Sequence, residues 1–241
     1  MNWPKSTEIG KFLAKERFYS HDAVSGALKQ ALVEDVEKIT ISHRLARDTL
    51  NVDAGTEFPE ILVLNIKLRQ SKVNEKLLDA LDKSIRSGYV LFMLEYNEKE
   101  CASISHKTVN AKESCTIDKR WTTDWTDKVD LELRGTTLDA IYAGLIEQVS
   151  QGRVASGASG LADAVNRDIE RAKLEKQIAE LNQKLRNTDQ LNKKFEIKDK
   201  IVDKLDKKSV DNKNFEIKDK IVDKLDNKSV DNKNFEIKED E

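Results

Sequence analysis

Residues 23–36 carry apolar side chains at helical spacing, with Val24, Ala27, Leu28, Ala31, Leu32 and Val36 on one stripe, which predicts an amphipathic helix. The period then drops to two. Ile39 and Ile41 alternate with polar neighbours over 38–43, the pattern of a half-buried strand, and Thr49-Leu50-Asn51-Val52 reads as a second extended piece. Residues 61–68 place Leu62, Leu64, Ile66 and Leu68 on one face, with Ile61, Val63, Asn65 and Lys67 on the other. Such a strand belongs near the centre of a sheet. Asn74 is a suitable N-cap for a helix with a Leu77, Leu78, Leu81, Ile85 stripe, and Lys83, Arg86 and Gly88 suit its C-terminal end. The nearly unbroken apolar run at 89–96 predicts a strand covered on both faces. Further strands are expected near 102–109 and 115–117. A capping start at Thr136 and Thr137 then opens a closing helix marked by Leu138, Ile141, Tyr142, Leu145 and Val149.

These elements give an α/β fold: one mixed-sheet domain with an α-β-β-β-α-β core plus further strands and a closing helix. A C-terminal helical or coiled-coil tail follows. The domain is expected over residues 1–150, since all three tryptophans, all four tyrosines and both prolines fall there. Small residues and three glycines at 151–160 mark a flexible linker. Over 161–193 a helix carries Leu174, Ile178, Leu181 and Leu185 at spacings of four and three, the seam of a short coiled coil or of a docked amphipathic helix. Residues 194–241 hold a tandem repeat. The string from Phe195 to Asp206 recurs from Phe215, the twenty-residue units differ only at Lys207 against Asn227, and a third copy starts at Phe235. Each copy reads as a short helix with Ile197, Ile201 and Leu205 on one side, and its low apolar content makes this tail expendable.

Composition sharpens the division. Charged residues make up 36% of the 241-residue chain, against roughly a quarter in ordinary globular domains, and the tail accounts for the excess. The 42 basic and 44 acidic residues nearly cancel, which is not the footprint of a general polyanion binder. No run reaches the roughly 18 to 20 apolar residues that span a bilayer. The opening Met1-Asn2-Trp3-Pro4 lacks the pattern of a secretory signal, and two cysteines supply no disulfide framework. A reduced, cytoplasmic location without membrane contact is expected.

The order helix, three strands, helix, strand over residues 23–96 resembles the core of the PD-(D/E)xK nuclease superfamily. Its metal motif would then fall on Asp53 and on Asn65-Ile66-Lys67. Magnesium-assisted phosphodiester cleavage wants at least two anionic oxygens, and Asn65 offers a neutral amide. Glu57 and Glu60 could substitute only if the turn presents them. An ordinary sheet with polar residues facing solvent is the simpler expectation, and Mg²⁺ enters only under the nuclease alternative; otherwise no cofactor is expected.

Cys101, His106 and Cys115 are spaced too widely for a zinc knuckle. No phosphate-cradling glycine loop or nucleophile elbow occurs. Trp121 and Trp125, with Lys119 and Arg120 before them, could stack bases or anchor a partner, though tryptophans in such a place more often brace a loop.

Several strings together resemble the bacterial domain-of-unknown-function family 4391 over about residues 1–150. They are Trp3-Pro4, Phe18-Tyr19, Val36-Glu37-Lys38-Ile39, Leu45-Ala46, Thr49-Leu50-Asn51-Val52, Ile66-Lys67-Leu68, Leu81-Asp82-Lys83-Ser84-Ile85 and Leu138-Asp139-Ala140-Ile141-Tyr142. Arg86 stands where that family has proline. The resemblance implies an accessory role in a restriction-modification or phage-defence locus, beside a helicase or DNA methyltransferase, with any nucleic-acid contact indirect. It supplies no active-site residues. The expected partner is a protein of the same locus, or a second copy joined through Leu174, Ile178, Leu181 and Leu185 as a structural homodimer.

Overall fold

The computed structural model describes residues 3–19, 24–56, 59–85, 88–109, 115–157, 160–188, 190 and 192–207. A single turn of 3-10 helix at Lys5–Thr7 leads into β1 (Glu8–Phe12), followed by α1 (Glu16–Tyr19), α2 (Gly26–Asp35), β2 (Val36–Ala46) and α3 (Arg47–Leu50). Next come β3 (Glu60–Leu68), α4 (Glu75–Ser84), β4 (Tyr89–Tyr96), β5 (Lys99–Val109), β6 (Cys115–Thr122), α5 (Leu138–Val149) and α6 (Gly160–Arg186). A last described helix, α7, runs over 192–207.

The strands form one mixed sheet in the order β1-β2-β3-β4-β5-β6. Every neighbouring pair is antiparallel except β3 and β4, which α4 connects as a crossover. Alternation along the central strands sends residues to two cores. Leu64, Ile66, Val90, Phe92 and Leu94 join Leu32 of α2 and Leu77, Leu78 and Leu81 of α4 in one cluster. On the other face, Tyr89 stacks on Tyr142 of α5 with ring centroids 3.6 Å apart, and the Tyr142 hydroxyl donates to the Ser105 carbonyl. Burial on both faces explains the unbroken apolar run of β4.

Local chemistry fixes the helix starts. Ser25, Asn74 and Thr137 each accept a hydrogen bond from the backbone three residues on, at the heads of α2, α4 and α5. Three details depart from the sequence reading. Residues 49–52 are not a strand: the Thr49 hydroxyl accepts from Ala46 N–H and donates to the Arg44 carbonyl, and Asn51 turns the chain at φ 54°. The core therefore runs α2-β2-β3-α4-β4, with α3 in place of the middle strand. Gly88 does not stop α4 in a left-handed cap; Ile85 closes that helix at φ −101°. Glycine is required there for space, because a Cβ would lie 2.7 Å from the Glu60 carbonyl oxygen. Finally, β1 adds an edge strand. The end of the first repeat unit and the whole second and third copies, 208–241, lie outside the described residues, as do Arg86, His21 and Glu57.

The chain divides into two compact units, Met1–Ala155 and Ser156–Glu241. Val154 is buried within the segment read as linker, its N–H donating to the Ser150 hydroxyl at 3.1 Å.

Candidate functional site

The densest polar chemistry of the first unit lies under α4. Asp82 falls on the apolar side of that helix, one turn after Leu78 and one before Ile85, and so points at the sheet with them. Ser103, Ser105 and Lys107 approach it from β5, Arg120 and Thr122 from β6. Lys107 Nζ reaches Asp82 Oδ1 at 3.0 Å and the Ile85 carbonyl at 3.1 Å. Arg120 Nη2 reaches Asp82 Oδ2 at 3.0 Å, while its Nε meets Asp79 Oδ1 at 2.7 Å. The Ser105 hydroxyl donates to Asp82 as well. The Thr122 hydroxyl donates to Ser103 Oγ at 3.0 Å. The Arg120 guanidinium also covers the Phe92 ring at 5.2 Å.

Two cations and two carboxylates thus neutralise one another. The Asp82 and Lys107 side chains are 0% and 1% exposed, so each charge has exchanged water for a partner, the condition for burying it at all. A carboxylate, a serine hydroxyl and a lysine in contact are also the materials of acid–base chemistry. In this arrangement each is saturated by its neighbours, and Lys107 and Arg120 hold the positions from which a cation would contact Asp82. The sequence carried one signal of the cluster, an aspartate inside the helical stripe Leu78, Leu81, Asp82, Ile85, but it did not identify the partners.

The residues proposed for a nuclease site are not drawn together. Asp53 sits exposed in the loop after α3, its N–H donating to the Thr136 carbonyl and its own carbonyl accepting from Leu138 at the head of α5. Lys67 is half-exposed and paired with Glu37 at 3.2 Å, and Asn65 is exposed on the same strand. Glu60 is engaged by Arg44 at 2.6 Å and lies seven residues from Lys67, about 23 Å along β3. Among the described residues no group of three metal-ligating side chains converges. Cys101 lies on β5 opposite Leu94 of β4, and Cys115 on β6 opposite Val109 of β5, eight positions or about 26 Å further along that strand.

Trp121 is buried at 2% exposure. Trp125 packs partly against the main core, meets the Tyr96 ring edge-on at 6.3 Å and donates from Nε1 to the Ser71 carbonyl at 3.0 Å. Both therefore brace the fold.

Among the described residues, a cleft and a helical hairpin are open to solvent. A cleft of about 540 Å³ in the first unit is lined by Trp3, Leu50, Val52, Leu131, Leu133 and Ile141, with Asp130 and Glu132 beside them. Its wall is an extended segment pinned by side chains. Trp3 Nε1 donates to the Leu131 carbonyl at 2.7 Å, and the Gln148 amide grips both N–H and C=O of Glu132 at 2.9 Å. In the second unit α6 and α7 form a helical hairpin. Leu174, Ile178, Leu181 and Leu185 are half-buried along α6, as are Ile197 and Ile201 of α7. Lys204 donates to Gln177, and Leu181 and Lys184 share a groove of about 390 Å³ with Lys200 and Asp203. Residues of the first repeat, Lys200 to Lys207, thus lie beside this part of α6 within their own chain.

The family model described as domain of unknown function DUF4391 matches residues 1–207. The chain belongs to this family. No curated protein and no solved structure matches the chain. The DUF4391 match runs past the α/β unit and through α7, so the helical hairpin is part of what the family shares, more than the 150 residues that carried the resemblance. The match also ends at Lys207, before the second repeat begins.

Proposed function

We propose that this DUF4391 protein is a non-catalytic accessory component of a bacterial restriction-modification or phage-defence system, acting with a helicase or DNA methyltransferase encoded beside it. One observation carries the reading. The side chains best suited to chemistry, Asp82, Ser105, Lys107 and Arg120, are consumed in a closed network that holds α4 to β5 and β6, while the accessible features among the described residues include a cleft of mixed apolar and acidic lining and a helical hairpin. Such surfaces suit protein recognition better than turnover. The class of partner is what the resemblance to this family implies, since its members tend to be encoded beside helicases and DNA methyltransferases, and DNA contact would come through that partner.

Affinity purification of the tagged full-length chain, co-expressed with the neighbouring helicase and methyltransferase, tests this. One of the two is expected to stay bound through gel filtration; separate elution of both would overturn the proposal. Cleavage of duplex or single-stranded DNA in Mg²⁺ or Mn²⁺, lost in Asp53→Ala or Lys67→Ala, would replace it with the nuclease reading.

A further inference from the structure

The half-buried residues of α7 are Lys194, Ile197, Ile201 and Lys204, spaced three, four and three apart and so gathered on one side of the helix. Lys204 donates to Gln177 of α6, which makes this the side turned to α6. Lys200 and Asp203 line the same groove, with Glu180 of α6 across from them. Phe195, Val202 and Leu205 lie away from that side and are exposed.

The apolar and hydrogen-bonding part of this contact is written in the chain twice. Residues 215–226 repeat 195–206 without a change, so Ile217, Ile221 and Lys224 hold the places of Ile197, Ile201 and Lys204. Asn214 and Asn227 replace Lys194 and Lys207 at its two ends. A short helix in water is held mainly by the apolar stripe it buries, and both segments carry the same stripe. Putting the second copy on α6 lengthens the connection from residues 187–194 to residues 187–214, which loop closure disfavours about sixfold. That is a bias between two occupants of one kind. The third copy is different in kind, because Glu241 stands where the others have Ile201 and Ile221, and a carboxylate on the stripe would lose water without a partner.

We propose that the α6 groove is shared by two occupants of the same chain: residues 195–206 fill it in most molecules, and residues 215–226 fill it in the rest. The repeat is then a spare docking segment. When the first copy is released, the second covers the same stretch of α6, and the tether to the seated copy grows by twenty residues. The proposal does not depend on the accessory role.

Hydrogen exchange read by mass spectrometry tests it on four full-length chains: wild type, Ile197→Asp/Ile201→Asp, Ile217→Asp/Ile221→Asp, and the chain with all four substitutions. Disabling the second copy is expected to leave the protection of α6 residues 174–185 within about twofold of wild type. Disabling the first is expected to lower it about tenfold, while residues 215–226 gain protection that they lack in wild type. Disabling both should lower it by at least about tenfold again. A first-copy variant that exchanges as fast as the fourfold variant would overturn the proposal, as would residues 215–226 left unprotected in it, or α6 protection indifferent to every substitution. Protection of the first-copy variant that rises with protein concentration would overturn it too, since the second copy would then be seated on another chain.

Discussion

Arg120 on the edge strand β6 reaches Asp82 on α4, Nη2 to Oδ2 at 3.0 Å, and both side chains are shut away from water at 4% and 0% exposure. Asp82 also holds Lys107, so removing its carboxylate strands two buried cations at once. Asp82→Ala is expected to cost about 3–5 kcal/mol of unfolding free energy in a urea titration. The network's net contribution is a separate matter. Replacing Asp82, Lys107 and Arg120 together by apolar residues of similar volume is expected to be neutral or stabilising, since it removes the desolvation cost along with the attraction. A single variant no less stable than wild type would show that the three charges do not depend on one another.

Trp121 and Trp125 separate by burial. Trp121 fills the interior, and Trp121→Ala is expected to cost about 3–5 kcal/mol by urea titration, the range for a cavity of that size. Trp125 is only partly covered, so Trp125→Ala loses less, about 1–2 kcal/mol. Equal losses at the two positions would contradict the packing described for them.

How far these relationships could be read in advance depended on how local they are. The caps at Asn74 and Thr137 and the run of β4 were legible because each is set by a few adjacent residues. β1 was not, since a strand exposed on both faces shows no alternation of apolar and polar positions. Residues 49–52 were misread because four residues cannot separate a helical from an extended period, and the Thr49 hydroxyl decided between them. The Asp82 network joins residues 23, 25 and 38 positions apart, beyond any local pattern. The seam of α6 was visible as a stripe, but its occupant in this chain, the first repeat, follows from the tertiary fold.

Burial pushes the Cys101 thiol up to about 12 from an ordinary value of 9.0. Between those values the folded chain keeps a proton that the unfolded chain has released. Stability from this group is complete below about pH 9 and falls as pH rises toward 12. Cys101→Ala is therefore expected to flatten the decline in urea-derived stability between about pH 9 and pH 11 relative to wild type. The native protein should also leave Cys101 unmodified by a thiol reagent that labels it after unfolding, because the thiolate is the reactive form. Labelling of Cys101 at the rate of a free thiol would refute its burial.

The family match stops at Lys207, and residues 200–207 of the first repeat line a groove with α6. Two truncations of the full chain should therefore behave differently. Ending it after Lys207 removes the last seven residues of the first copy and all of the later ones, and the thermal midpoint is expected to stay within about 2 °C of wild type, the size of shift that a few tenths of a kcal/mol produces. Ending it after Arg186 removes α7 as well. That step uncovers Leu181 and takes away the Lys204 to Gln177 hydrogen bond. A helix left with one bare apolar stripe loses most of what keeps it folded in water, so circular dichroism should register less helix than deletion of α7 alone would account for. If the Lys207 truncation is the destabilising one, the later copies contribute to the fold and the domain is longer than its family match.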